Sequence, residues 1–241
     1  MKRIALDTID STNAYAKALP VDKSEELTLV TAEFQEAGRG AGTNKWESER
    51  SKNLLFSIIA YPHQLQANQM FALSEVTALS ICSALSSYAE DFLIKWPNDI
   101  YHKDKKIVGM LIENDLQGKF VRRSVIGIGV NVNQALFLSD APNPISLVQI
   151  TGREENRQQV LDCIMRQFTY YYGMMENGQY AELHDLYMQH LYRKGEFHTY
   201  SDANGTFMAR IIDVEPSGHL VLEDENKKLR RYAFKEVQFI I

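Results

Sequence analysis

Cysteine is nearly absent: Cys82 and Cys163 are the only two in 241 residues. They stand far apart, each inside an apolar helical pattern, which excludes a disulfide framework and a cysteine metal knuckle and leaves two free thiols. The six histidines show no spacing that would bring two imidazoles onto one face, so no protein-bound metal site is expected. Positive charge is not in excess either. Against 26 lysines and arginines stand 31 acidic residues, a net charge of −5, which argues against a chain whose main task is gripping nucleic-acid backbone. No stretch approaches the roughly 18 consecutive apolar residues of a membrane span. The early basic pair Lys2-Arg3 has no apolar segment behind it to form a signal peptide. A cytoplasmic protein without a membrane or nucleic-acid partner is therefore expected. What remains is ordinary globular composition, 45% hydrophobic and 24% charged, long enough for one large domain and a small one.

Ser11-Thr12-Asn13 before AYAKAL predicts a capped helix ending at Pro20. Leu27 to Phe34 alternates like a strand and runs into the glycine-rich stretch Gly38 to Gly42. Asn53 to Tyr61 predicts a second strand. Phe71, Ala78, Ile81, Leu85 and Tyr88 then recur at helical spacing, predicting a helix with one apolar face on a sheet. Strands are expected at Phe92 to Trp96, Ile107 to Glu113 and Ser124 to Asn133, with a polar turn at His102 to Lys105. Two helices follow, one from Glu154 to the Asn177-Gly178 break and one over Tyr180 to Tyr192. Beyond Lys194 the pattern changes to five short strand-like runs separated by turns. A boundary there divides the chain into residues 1–193 and 194–241, the second a small β-barrel.

Four segments carry residues suited to chemistry. QEAGRGAGTNKW (Gln35 to Trp46) follows a strand with glycines, Arg39 and Lys45. Its backbone N–H groups can form an anion-binding concavity and Arg39 can grip phosphate, although a flexible surface turn is an equal reading and neither common nucleotide-binding glycine spacing is present. KWPND (Lys95 to Asp99) groups a lysine, an amide and a carboxylate at a strand end. In KKIVGMLIEN, Lys106 opens a strand whose alternate members Ile107, Gly109 and Leu111 are expected to share a face, with Gly109 marking a close approach by backbone or ligand. GIGVNVN (Gly127 to Asn133) sets amides in an apolar strand, where they need partners from a ligand or an internal network.

In order and spacing, DSTN, AEFQEAGRGAGTNKW, KWPND, KKIVGMLIE and GIGVNVN resemble the signature of the biotin protein ligase family, specifically over Asp10 to Asn133. The resemblance implies an α+β fold: a mixed, mainly antiparallel sheet with flanking helices, like that of class II aminoacyl-tRNA synthetases, plus a C-terminal SH3-like barrel. It implies activation of biotin by ATP, accompanied by Mg2+, to biotinyl-5′-AMP, then transfer to a lysine of a biotin carboxyl carrier protein or carboxylase domain. DSTN begins ten residues into the chain, so the DNA-binding domain that precedes it in some family members is not expected here. Self-association is left open. Lipoate or octanoate protein ligation is the alternative chemistry, and a non-catalytic biotin-binding module the alternative class.

By the same resemblance, Lys106, Arg39 and Asp99 are the catalytic candidates. Lys106 opposes the charge that builds during attack on the α-phosphate, and Asp99 orients or deprotonates the acceptor amine. The biotin pocket would comprise Ser11, Thr12, Asn13, Gln35, Gly38, Arg39, Gly40, Ala41, Lys106, Gly109, Leu111 and Gly129, and the ATP site Arg39, Trp46, Lys95, Asn98, Lys106 and Asn131. Two departures stand out. Many members carry further arginines where this chain has Ala41, Gly42, Thr43 and Asn44, and commonly glycine or alanine where it has Val108, whose side chain an alternating strand would turn away from the pocket.

Overall fold

A computed structural model describes residues 1–40, 42, 44–138 and 143–241. The chain runs β1 (Lys2–Ile9), α1 (Thr12–Ala18), β2 (Leu27–Gln35), β3 (Leu54–Ala60), α2 (Ala72–Leu85), β4 (Phe92–Lys95), β5 (Asp99–His102), β6 (Lys105–Gln117) and β7 (Phe120–Val130). It continues with α3 (Leu147–Thr151), α4 (Arg157–Glu176), α5 (Tyr180–Gln189), β8 (His198–Asp202), β9 (Gly205–Val214), β10 (Leu220–Asp224), β11 (Leu229–Tyr232) and β12 (Gln238–Phe239).

The first seven strands form one sheet in the order β1-β2-β3-β7-β6-β5-β4. Only β1 and β2 pair in parallel, so the sheet is mixed and mainly antiparallel, as the resemblance implies. Its centre is covered on both sides, which is why every residue of β3 is buried. Leu54, Phe56, Ile58 and Ala60 of β3 face the large core with Val108 and Met110 of β6 and Ile126, Ile128 and Val130 of β7, beneath α2, α4 and α5. On the other face, α1 packs Ala16 against Val30, Ile59 and Val125.

The α2 segment was expected to bury one face, but nearly all of it is enclosed between the sheet and α4 and α5. Its polar members are satisfied locally: Thr77 donates to the Leu73 carbonyl and Ser80 to that of Val76, each at 2.6 Å. Glu75, 5% exposed, meets His184 of α5 at 2.8 Å, and the other ring nitrogen of His184 meets Asp213 of β9 at 2.9 Å. Both carboxylates hold the imidazolium, raising the His184 pKa to about 9 against the opposing effect of burial. Burial makes Glu75 costly to ionise and raises its pKa, with the His184 hydrogen bond opposing. The three side chains clip α2 and α5 to the C-terminal strands.

Those strands form a five-stranded antiparallel sheet, β11-β10-β9-β8-β12. The expected closed barrel is not found: among the described residues the edge strands β11 and β12 do not pair, and β12, with two residues, is too short to complete a ring. The large core continues without a break from the first sheet into Tyr200, Ala209, Ile211, Leu220 and Leu222 of this module. No helix among the described residues is long and apolar enough to cross a membrane.

Candidate active site

The sheet face beneath α1 is apolar at one end and hollow at the other. Where β6 and β7 pair, Gly109 lies opposite Gly129 and Leu111 opposite Gly127, so one side of two central strands lacks the side chains that would fill it. Two groups use that space. The Asn13 side chain lies on Gly127, where an added Cβ would sit 2.7 Å from its Cγ. The Trp46 indole lies across Gly109 and Gly129, with Nε1 2.6 Å from a Cβ built on Gly129, and that N–H is buried without a partner among the described residues.

A cavity of about 190 Å3 opens above this floor, lined from six regions of the chain. Ser11, Thr12 and Asn13 reach it from the start of α1, where Ser11 caps the helix by accepting from the Ala14 N–H. Gln35 enters from the end of β2, and its Oε1 accepts from the Thr12 N–H at 2.7 Å and the Thr12 hydroxyl at 3.0 Å. Asn13 donates to the Leu111 carbonyl and to Glu113, both at 3.1 Å, and accepts from the Ser57 hydroxyl at 2.6 Å. The Gln35 amide N–H groups have no partner among the described residues, so this polar end keeps donors for a ligand. Glu113 anchors Asn13 and also accepts from Lys17 at 2.8 Å. Partial burial pushes its pKa up, but hydrogen bonds from Lys17 and Asn13 and the charges of Lys17 and Arg39 outweigh this and hold it below the usual range.

The Gln35 loop is a short hairpin. The Gly40 N–H donates to the Asn44 carbonyl at 2.8 Å and that of Trp46 to Gly38 at 3.0 Å, and this pairing lays Trp46 on the glycine floor. Gly38 is required where the hairpin crosses itself, since a Cβ there would lie 2.7 Å from the Trp46 carbonyl. Arg39, Gly40, Asn44 and Lys45 line the mouth.

At the opposite end, Lys106 Nζ sits 2.6 Å from Asp99 Oδ1 and 5.9 Å from the Trp46 ring centroid. Asn98 donates to the Met110 carbonyl at 2.6 Å, fixing KWPND to β6. Lys95 lines the cavity with its ammonium 5.3 Å from the Tyr101 ring and 4.7 Å from that of Phe239, and burial lowers its pKa. Arg39, Lys45, Lys95 and Lys106 thus face a cavity with Asp99 as the one lining carboxylate among the described residues, a balance suited to a polyanion.

Of the expected site residues, Ser11, Thr12, Asn13, Gln35, Arg39, Gly40, Trp46, Lys95, Asn98, Asp99, Lys106, Gly109, Leu111 and Gly129 line this cavity. Gly38 supports the hairpin from behind. Asn131 does not reach the lining: it is 3% exposed and donates to the Ile145 carbonyl at 3.1 Å. Ala41 lies outside the described residues. Ile107 was expected to share a face with Gly109 and Leu111 but is buried in the large core. A register shift in the β5–β6 pairing, between Ile100 and Tyr101, puts Lys106 rather than Ile107 in the cavity. Val108 points into the core, away from the cavity, as strand alternation implies. Gly127 and Lys45, noted only as members of their segments, also line the cavity, and Phe234 was missed. Stepping two residues back from Gly129 would have given Gly127, whereas nothing near Phe234 in sequence points to this site.

Residues 5–131 match the Biotin/lipoate A/B protein ligase family, and the chain belongs to that family. It is 32% identical over 234 residues to the bifunctional ligase/repressor BirA of Bacillus spizizenii, covering 94% of this chain and 71% of that protein. It is 29% identical over 194 residues to the biotin--[acetyl-CoA-carboxylase] ligase of Paracoccus denitrificans, covering 78% and 80% of the two chains. The biotin protein ligase of Aquifex aeolicus, solved in complex with biotin and ATP, shares the fold with a TM-score of 0.80 at 24% identity over 99% of both chains.

Proposed function

We propose that this protein activates biotin with ATP and transfers it to a lysine of a biotin carboxyl carrier protein. One observation carries the reading: a cavity with unspent amide donors at one end and the Lys106–Asp99 pair at the other, joined by an apolar floor of Gly109, Gly129 and Trp46. A ureido head, a hydrocarbon tail and a carboxylate require that sequence of environments. In the first step a biotin carboxylate oxygen attacks the α-phosphorus and the bond to pyrophosphate breaks. Lys106 stabilises the charge on the attacked phosphate. ATP enters as its magnesium complex, the ion held by phosphate and water.

In the second step the acceptor amine attacks the acyl carbon, the bond to AMP breaks, and the amine proton must leave. An ordinary lysine with a pKa of about 10.4 is neutral in roughly one molecule in a few thousand at pH 7. Asp99 is the acceptor and orienting group for that proton once bound substrate draws Lys106 away. We assign substrate binding to residues 1–193 and support of the site to residues 194–241, an open variant of the SH3-like barrel. The relatives' names favour biotin over lipoate. Pyrophosphate release with magnesium-ATP tests the reading: it should depend on biotin and not on lipoate, and release driven by lipoate alone would reverse the assignment.

A further inference from the structure

Helix α1 is tied to β6 and β7 at several points. Asp115 of β6 holds Arg123, which donates to the Leu19 and Lys17 carbonyls at the end of the helix at 3.0 and 3.3 Å. Lys17 Nζ lies 2.8 Å from Glu113 Oε1. The other oxygen of that carboxylate serves a different group: Glu113 Oε2 accepts from the Asn13 side chain at 3.1 Å, with Arg39 3.8 Å away.

Asn13, 3% exposed, lines the cavity, whereas Glu113 lies outside its lining. A carboxamide has a donor side and an acceptor side, and its neighbours decide which one meets a ligand. Both partners of the Asn13 nitrogen, the Leu111 carbonyl and the Glu113 carboxylate, accept and cannot donate, so both amide protons are taken. Asn13 Oδ1 accepts from the Ser57 hydroxyl and lies against Gly127, itself a lining residue. One of its two lone pairs is left for a ligand. Gln35 is the complement, with Oε1 filled by the N–H and hydroxyl of Thr12 and its amide protons left over. An acceptor and a donor so placed match a carbonyl flanked by N–H groups. Without Glu113, one Asn13 proton loses its partner, and the Ser57 oxygen can accept from the reversed amide, which would then offer the ligand a donor.

We infer that Glu113 is a positioning residue that sets the specificity of this end of the cavity: by taking the second Asn13 amide proton, it makes Asn13 an acceptor for a ureido N–H. The inference rests on seating the biotin head at this end and adds a residue that never touches it.

The test compares biotin with two cyclic carbamates, in each of which one ureido N–H is replaced by oxygen, with affinities read by calorimetry. The wild type should bind at least one carbamate about tenfold or more weakly than biotin. Glu113→Met, close in size but without an acceptor, should weaken biotin binding about tenfold and shrink that preference below about threefold. Glu113→Gln keeps a carbonyl acceptor and should restore both, although it too lacks the charge that faces Lys17 and Arg39. The kcat of pyrophosphate release at saturating biotin should change by less than about threefold in either variant. Lys17→Met breaks the same ion pair from the other side and should leave the preference intact. Wild-type preference in Glu113→Met, or equal losses in the Met and Gln variants, would overturn the inference. A wild type that binds biotin no better than either carbamate would overturn the seating of the ureido head itself.

Discussion

The two faces of the seven-stranded sheet are made by alternate residues of the same strands, and they do opposite things. On one, Phe56, Ile58, Ile126, Ile128, Val108 and Met110 fill every space beneath α2, α4 and α5. On the other, Ser57, Gly109, Gly127 and Gly129 leave space that Asn13 and Trp46 share with the cavity. Glycine in the middle of a central strand costs stability and packs nothing, so three of them on one face define where a ligand, not a core, belongs. Stability should therefore be lost on one face and chemistry on the other.

The largest expected effect is on the filled face. Phe56→Ala should lower unfolding stability by about 3 to 5 kcal/mol, through lost burial and the cavity left behind. Denaturant titration reads this directly, and the surviving folded fraction should turn over normally. Lys106→Ala reverses the pattern. Its side chain is about one-third exposed and paired with Asp99, so the fold should hold while adenylate formation slows about a hundredfold, or about 3 kcal/mol of barrier. Wild-type pyrophosphate release in this variant would remove Lys106 from the mechanism.

A smaller effect is expected from Gly129→Ala, whose methyl would overlap the Trp46 indole. Trp46 sits on a surface hairpin and can shift, so melting should change little while biotin affinity falls about tenfold, as for roughly 1.4 kcal/mol of lost contact. A variant that melts well below the wild type yet binds biotin normally while folded would erase the distinction between the faces. The smallest effect concerns the His184 clip. Its pKa is raised from an ordinary 6.5 to about 9, so its ion-pair stabilisation is complete below pH 6.5 and is lost as pH rises through about 9. The melting temperature should decline over that window in the wild type, and His184→Gln should flatten the decline. Equal slopes in both proteins would show that the clip does not hold the C-terminal strands.

Much of the hollow face was legible in the sequence because its residues violate strand chemistry in plain view: glycines inside KKIVGMLIEN and GIGVNVN, and amide and carboxylate at the end of KWPND. Strand and helix positions followed from periodicity because most segments keep one rule throughout. What periodicity cannot supply is register across strands. The irregular β5–β6 pairing turns Ile107 into the core while Lys106 keeps its expected place in the cavity, and β5 itself is only four residues long. Enclosure of α2 depends on α4 and α5, folded from residues seventy or more positions away. Phe234 carries no local mark of its role, since only tertiary packing against Trp96 brings it to the cavity.

The central claim is that the hollow face selects biotin and commits it to a lysine. Intact-mass spectrometry tests this most directly: a biotin carboxyl carrier domain is incubated with the protein, magnesium-ATP and equal concentrations of biotin and lipoate. The account predicts one biotinyl adduct per carrier, on a single lysine, with no lipoyl adduct and almost none of either when Lys106→Ala replaces the wild type. A lipoyl adduct, or an unmodified carrier beside active wild-type pyrophosphate release, would contradict it.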